Sequence, residues 1–198
     1  MPCIDHRVPP CGALDPSRSR IQAASLHLLP GTALDPFQGG RIWRVRSGIV
    51  HVRCARSQDT HYLAHAGDLV GLEAGVLLSP ALHMEALTTA ALDIVAAEGP
   101  TARDQLQAEA FAQARRQSAE LMRLRSGTLA SRLRHVLLSL AGPGAEACDV
   151  ELPTLRQLGD IVDATPEAVC RVLGGMRKLD LLAHTRQGRT RLARGALL

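Results

Sequence analysis

From Leu152 to Leu182 the chain reads LPTLRQLGDIVDATPEAVCRVLGGMRKLDLL, two amphipathic stretches with only Asp163-Ala164 between them. In the first, Leu155, Leu158, Ile161 and Val162 fall on one helical face; in the second, Val169, Val172, Leu173, Met176 and Leu179 do. Thr154 and Thr165 stand at the N-cap positions, where a hydroxyl can accept from an otherwise unpaired backbone N–H. Pro166 follows at the first helical position, where its missing N–H costs nothing and its fixed φ suits the helix. Two helices joined by so short a turn predict a helix-turn-helix. After Leu182, AHTRQGRTRLARG predicts a strand, a Gln-Gly turn and a second strand, with Arg186 just before the turn and Arg189, Arg191 and Arg194 after it, which is a β-hairpin wing.

With the apolar face turned inward, the second helix presents Pro166, Glu167, Cys170 and Arg171 outward over its first turns. Glu167 and Arg171 share a face at i,i+4 spacing, and two roles fit them. One is an intrahelical ion pair contributing about 0.3–0.5 kcal/mol. The other is base reading: Arg can take guanine O6 and N7 together, while Glu accepts from cytosine N4 and steadies the guanidinium. The wing arginines Arg186, Arg189 and Arg191, with Thr154 and Thr165, would then contact phosphates, adding salt-dependent affinity without sequence information.

Upstream the pattern changes. Residues 1–20 are Pro-rich and aperiodic, an arm or a ligand-bearing loop. In 21–99 the short runs SLHLLPG, RIWRVRSGIVHVR, THYLAHAGDLVGL and HMEALTTAALDIVAAEG are divided by PFQGG, RSG, ARSQD and AGD, which predicts an antiparallel sandwich or roll. Residues 100–126 begin with Pro100-Thr101 and continue to Arg125 without Pro or Gly, a long helix with a candidate seam of Ala110, Ala114, Gln117, Leu121 and Leu124. In 127–198 a further helix, with Leu129, Leu133, Val136, Leu137 and Leu140 on one face, leads through a loop at 141–149 into the helix pair.

Composition sets limits. One Trp, one Tyr and two Phe in 198 residues leave the core to Leu, Val, Ile and Ala. Between Arg56 and Arg103 there is no Lys or Arg, and six acids stand there: Asp59, Asp68, Glu73, Glu85, Asp93 and Glu98. An acidic middle and an arginine-rich end suit two modules, the second facing a polyanion; a solvated surface explains the same charges equally well. The five cysteines are scattered and odd in number, which favours thiols or metal ligands over a disulfide framework. No apolar run spans a bilayer, and MPCIDHRVPPCG lacks a signal-peptide layout, so a cytoplasmic protein is expected.

Two stretches carry a resemblance. GDLVGLEA (Gly67 to Ala74) resembles the roll segment of the FNR-type branch of the CRP/FNR transcription regulators, and LGDIVDATPEAVCRVLGGMRK resembles that family's recognition motif. The resemblance covers roughly residues 20 to 195. It implies an α+β fold: an N-terminal antiparallel β-roll of the cupin-like or cyclic-nucleotide-binding-like kind, a long dimerisation helix, and a C-terminal winged helix-turn-helix. It further implies a homodimer on double-stranded DNA, with the family's base-reading Glu and Arg carried over to Glu167 and Arg171, and contact with RNA polymerase if the protein activates. Members that bind cyclic AMP hold its phosphate with an Arg and a following small hydroxyl residue. The corresponding stretch here, Gly71 to Thr89, has no basic residue, so cyclic AMP is disfavoured. The turn position often occupied by Gly is Asp163, which tolerates a left-handed backbone. Pro166 stands where CRP-type helices have a further base-reading Arg, which points to a TTGAT-N4-ATCAA-like palindrome and leaves Pro166 to pack on a thymine methyl.

Several sensing chemistries are open. Cys3, His6 and Cys11 loosely resemble the family's N-terminal iron–sulfur ligands, with Cys54 as a possible fourth, although one ligand would be His. Heme would draw on His51, His61, His65 or His83. No cofactor at all is equally compatible, with control through Cys170, whose neighbour Arg171 and helix-start position favour the oxidisable thiolate. A cupin-like metal enzyme is the remote alternative: His61 and His65 in HYLAHAGD are spaced His-x3-His, with no third ligand evident.

Overall fold

The computed structural model describes residues 25–34, 41–72, 82–96, 99–142, 147–185 and 189–193. The first part is a β-roll that has, among the described residues, eight strands: β1 Ser25–Leu28, β2 Ala33–Leu34, β3 Ile42–Ser47, β4 Val50–Cys54, β5 Thr60–Ala64, β6 Leu69–Val70, β7 Leu82–Ala86 and β8 Ala90–Val95. They form two antiparallel sheets in the orders β1-β8-β3-β6 and β2-β7-β4-β5. Consecutive β3 and β4 therefore lie in different sheets, and the corner between them turns at Gly48. There φ is +83° and an added Cβ would sit 2.4 Å from the Thr89 carbonyl oxygen, so only glycine fits. The Ala-rich run that could be mistaken for helix is strand β8.

The alternation of the strands decides what each face does. Val50, Val52, Tyr62, Ala64, Met84 and Ala86 point inward and close the roll with Val45, Val70 and Leu92. Ile49, Leu63 and Leu87 belong instead to the apolar cluster formed by the C-terminal helices. The roll's second sheet is thus covered by the helical unit, and the roll contributes to that cluster while keeping its own interior cluster.

Helix α1 runs Pro100–Arg125 and buries Leu106, Gln113 and Leu124. That face lies against the roll. Of the candidate seam, Leu124 is buried within the protomer, Ala110, Gln117 and Leu121 are half-buried and Ala114 is exposed, whereas Phe111 and Met122 beside it are 71% and 69% exposed. Ala114 and Ser118 are exposed on that open side and Leu121 is half-buried at its edge, so the most open stripe of α1 is rotated from the expected one.

Helix α2, Leu129–Ala141, buries Leu133, Val136 and Leu137, with the Thr128 hydroxyl as its cap. The expected loop is in part a strand: β9, Ala147–Val150, pairs with β11, Thr190–Ala193, which also pairs with β10, Leu182–His184. The wing is therefore three-stranded rather than a hairpin. Helices α3, Leu155–Val162, and α4, Pro166–Lys178, start where the hydroxyl caps predict. Two apolar assignments shift. Leu155 is 38% exposed at the start of α3, and Leu179 is 72% exposed because α4 ends before it, with Asp180 turning at φ 56°. No helix among the described residues is long and apolar enough to cross a membrane.

Candidate nucleic-acid interface

Local chemistry fixes the helix pair. Thr154 and Gln157 form a complete capping box: the Thr154 hydroxyl accepts from Gln157 N at 3.2 Å, and Gln157 Oε1 accepts from Thr154 N at 2.8 Å. At the far end Asp163 adopts φ 54°, the left-handed conformation expected of it, and Ala164 N donates to Gly159 O at 3.0 Å. Gly159 is required there, since a Cβ would lie 2.5 Å from the Ala164 carbonyl oxygen. The close approach of helix and turn makes α3 and α4 one rigid piece.

Helix α4 opens on Thr165, whose hydroxyl accepts from Ala168 N at 3.3 Å, with Pro166 in the first turn. Val169, Leu173 and Met176 are buried, and Pro166, Glu167, Cys170 and Arg171 are all exposed. Glu167 does not pair with Arg171 among the described residues. Its carboxylate takes its own backbone N–H and the Thr165 hydroxyl, which hold its pKa below the usual carboxylate value. The acid stays ionised and oriented at the positive end of the helix, and the Arg171 guanidinium is left free to engage a partner.

The other expected contacts divide. Thr154 is exposed but committed to its capping box, and the neighbouring Gln157 donates to Glu85 on the roll at 2.5 Å. Arg189 is at the wing, where its carbonyl accepts from Thr185 N at 2.8 Å and Thr185 Oγ1 at 3.0 Å. Arg191 pairs with Asp149, Nε to Oδ1 at 2.9 Å, and this bond raises its pKa. Its charge is therefore partly cancelled by β9, a segment that the sequence pattern assigns to a loop. Arg186 lies outside the described residues, as do Cys3, His6 and Cys11.

Sequence patterns miss the residues that hold the helix pair from behind. Arg125, the last residue of α1, donates to Ile161 O at 2.8 Å, and Arg132 of α2 donates to Val162 O at 2.5 Å. Arg53 of β4 reaches Glu85 at 3.5 Å and Asp160 at 3.7 Å. The arginines are visible in the sequence, but their partners are carbonyls or distant acids that no local pattern reveals.

The four heme-candidate histidines do not converge. His51 is 1% exposed, faces the helical unit and shares a 2.9 Å hydrogen bond with Thr60 Oγ1. Burial first, then the charges of Arg53, His83 and Arg125, lower its pKa to about 4, so it is neutral. His65 bonds Glu120 of α1 at 2.9 Å, and Ser139 of α2 donates to the same carboxylate at 3.2 Å. Burial pushes the His65 pKa down, but the bond and charge of Glu120, with the charge of Asp68, outweigh it and the net shift is upward. His61 is exposed beside Tyr62, and His83 stands opposite Arg53 in the β4–β7 register. Among the described residues no group of three His, Cys, Asp or Glu side chains is placed to hold a metal ion. Cys54 is half-buried at the end of β4. The Ser57 backbone and hydroxyl, then the Arg56 backbone, lower its thiol pKa against the opposing effects of burial and Asp59.

Solved structures share this architecture. TTHB099, a CRP-family transcriptional regulator from Thermus thermophilus, superposes with a TM-score of 0.68 at 21% identity, covering 87% of this chain and 94% of that one. FixK2 from Bradyrhizobium japonicum gives 0.66 at 21% identity over 88% and 95%. TTHA1359, a CRP/FNR-family transcriptional regulator also from Thermus thermophilus, gives 0.60 at 22% identity over 88% and 96%. The chain has the CRP/FNR fold. No protein-family model and no curated protein matches its sequence. The likeness extends over nearly the whole of each CRP/FNR structure, so the roll, the long helix and the helix-turn-helix occur together in one chain of matching order.

Proposed function

We propose that this protein is a sequence-specific DNA-binding transcription regulator that works as a homodimer. The observation that carries it is the outward face of α4, where Glu167 and Arg171 are both exposed while Val169, Leu173 and Met176 fix the opposite face in the core. Arg171 supplies a bidentate donor for a guanine edge, and Glu167, ionised at the helix start, accepts from a cytosine amino group. Thr165 and Arg189 stand at the flanks, where phosphate contacts set register. Two copies would join along the open stripe of α1, with Phe111, Ala114, Ser118, Leu121 and Met122 meeting their counterparts. That covers the exposed Phe and Met and places two reading helices on a two-fold-related site. The site expected is the TTGAT-N4-ATCAA palindrome.

Fluorescence anisotropy of the labelled palindrome and a scrambled control, titrated with salt, tests this. Arg171→Ala should weaken palindrome binding by about 1–3 kcal/mol and leave salt-sensitive binding to scrambled DNA intact. Equal loss on both DNAs would contradict base reading. Cys170 is exposed on the same face, so its oxidation by peroxide would place a negative group against the DNA backbone. A Cys170→Ser protein should lose the peroxide sensitivity of binding; unchanged sensitivity would remove the thiol from the mechanism.

A further inference from the structure

The last four carbonyls of an α-helix have no partner within the helix, and their fate reports what the helix end is tied to. In α3 these belong to Gly159, Asp160, Ile161 and Val162. Gly159 O accepts from Ala164 N in the turn itself, at 3.0 Å. Asp160 O accepts from the hydroxyl of Thr60 on β5 at 3.0 Å. Ile161 O accepts from Arg125 at 2.8 Å, and Val162 O from Arg132 at 2.5 Å, with Asp163 O a further 3.4 Å partner of the same guanidinium. Beyond the turn, the donors come from three separate elements: the roll, the long helix and α2. Two of them are cations at the negative end of the helix dipole, where positive charge is favoured.

The Thr60 contact fixes a proton as well. A hydroxyl has a single hydrogen, and here it is spent on Asp160 O, so the 2.9 Å contact to His51 requires the imidazole Nε2–H to donate. Neutral, buried His51 thereby anchors Thr60 from the roll side. The whole attachment lies behind the helix pair, and the outward residues of α4 remain exposed.

We infer that Arg125 is a positioning residue for DNA reading: by tying the end of α1 to the last turn of α3, it sets the angle of α4 relative to the α1 seam. This rests on the reading of α4 as the DNA-contacting helix. Arg125 is the one donor of the three that belongs to the helix carrying the open Phe111–Met122 stripe. Gly159 and the Asp163 turn make α3 and α4 a single piece, so an angle fixed at the α3 end is passed to α4 without loss. Arg132 cannot do this, because α2 belongs to the same unit as the helix pair. Thr60 secures the unit to the roll rather than to the seam.

A dimer with a rigid connection between seam and reading helix accepts only one half-site separation. Each added base pair rotates the second half-site by about 35°. The experiment measures binding of the full-length protein to the palindrome with the four-base spacer, to the same palindrome with one base added, and to a single half-site. The parent should prefer the four-base spacer by roughly 100-fold, the gain from simultaneous engagement. Arg125→Met keeps the apolar stem and removes the donors. Its preference should fall to within about threefold, with half-site binding unchanged. Arg125→Lys, which still offers a cationic donor to Ile161 O, should restore most of the preference.

Thermal melts confirm that each variant is folded. If the Met variant does not fold, Arg125→Gln takes its place; if neither folds, Arg125 is a residue of the fold and the inference is overturned. A folded Met variant with the parent's spacer preference also overturns it. A parent that binds no specific probe better than scrambled DNA fails earlier, at the proposed function itself.

Discussion

Gln113 on α1 provides the most direct test of how the long helix is fixed to the roll. It is 4% exposed, and its amide pairs with both backbone groups of Leu69: Leu69 N donates to Oε1 and Nε2 donates to Leu69 O, each at 2.7 Å. A side-chain amide thus occupies the place of a neighbouring strand beside β6, the edge of its sheet. Gln113→Leu keeps the size of the side chain and leaves the Leu69 N–H and C=O unpaired in a position where Leu69 is 1% exposed. Each orphaned buried group costs about 1–3 kcal/mol. Because β6 is an edge strand, some water can enter, which puts the expected loss at roughly 2–4 kcal/mol. For a chain of this length that corresponds to a fall of about 5–15 °C in melting temperature. Urea unfolding followed by circular dichroism measures it. A loss below about 1 kcal/mol with an unchanged m-value would refute the bookkeeping, since it would mean that Leu69 finds other partners at no cost. Gln113→Glu separates the two bonds. It keeps the acceptor for Leu69 N–H but sets a carboxylate against the Leu69 carbonyl, so its deficit should shrink as pH falls and the carboxyl gains a proton to donate.

His51 has a folded pKa near 4 against 6.5 unfolded, so protons favour the unfolded chain, and the stability present above pH 6.5 is lost as pH falls toward 4. His51→Gln, which keeps a donor for Thr60, should flatten that acid limb in a pH series of urea midpoints; an unaltered limb would place the titration elsewhere. At Gly174 and Gly175 an added Cβ meets nothing within 4 Å, and both φ values are ordinary for a helix. Alanine at either should stabilise the protein by about 0.5–1 kcal/mol, and a destabilised variant in thermal unfolding would contradict this. Asp149→Asn releases Arg191 at the wing and should strengthen DNA binding at low salt by roughly twofold to fivefold, with the gain vanishing as salt rises. A salt-independent gain would mean that the change acts through the fold rather than through a freed charge.

Much of the fold is legible in the sequence because its signals are local. Thr154, Thr165 and Pro166 mark helix starts by their own chemistry, and Asp163 marks the turn by its tolerance of positive φ. The strands of the roll are legible from alternation, although alternation cannot say which sheet a strand joins; β3 and β4 are neighbours in sequence and part at Gly48. The α1 seam escapes for a related reason. Ala110, Gln117 and Leu124 do fall on one face, but spacing cannot tell a face turned to a partner from one turned to the roll, and burial of Gln113 reverses the expected polarity. Strand β9 is hidden because ACDV is short, follows a Pro-Gly loop and pairs only with the distant β11. At the candidate interface the outward residues of α4 are readable from helical periodicity. The attachment behind it is not, because Arg125, Arg132 and Thr60 act on backbone carbonyls, which carry no sequence signature.

The charge segregation acquires a different meaning once the pairs are placed. Asp68, Glu85 and Asp93 of the acid-rich middle pair with Arg116, Arg53 and Arg46 respectively, and Gln157 reaches Glu85 from α3. Asp68 is 8% exposed and Glu85 14% at their side chains, while Arg46–Asp93 is an exposed pair at 3.8 Å that adds little. Asp68 thus fastens the roll to α1 and Glu85 fastens it to α3, while Asp93 is paired within the roll. Among the described residues the outward Arg171 makes no ion pair, whereas Arg191 at the wing does. On the proposed reading of α4, the joints that pair Asp68 and Glu85 also decide where Arg171 is held against DNA.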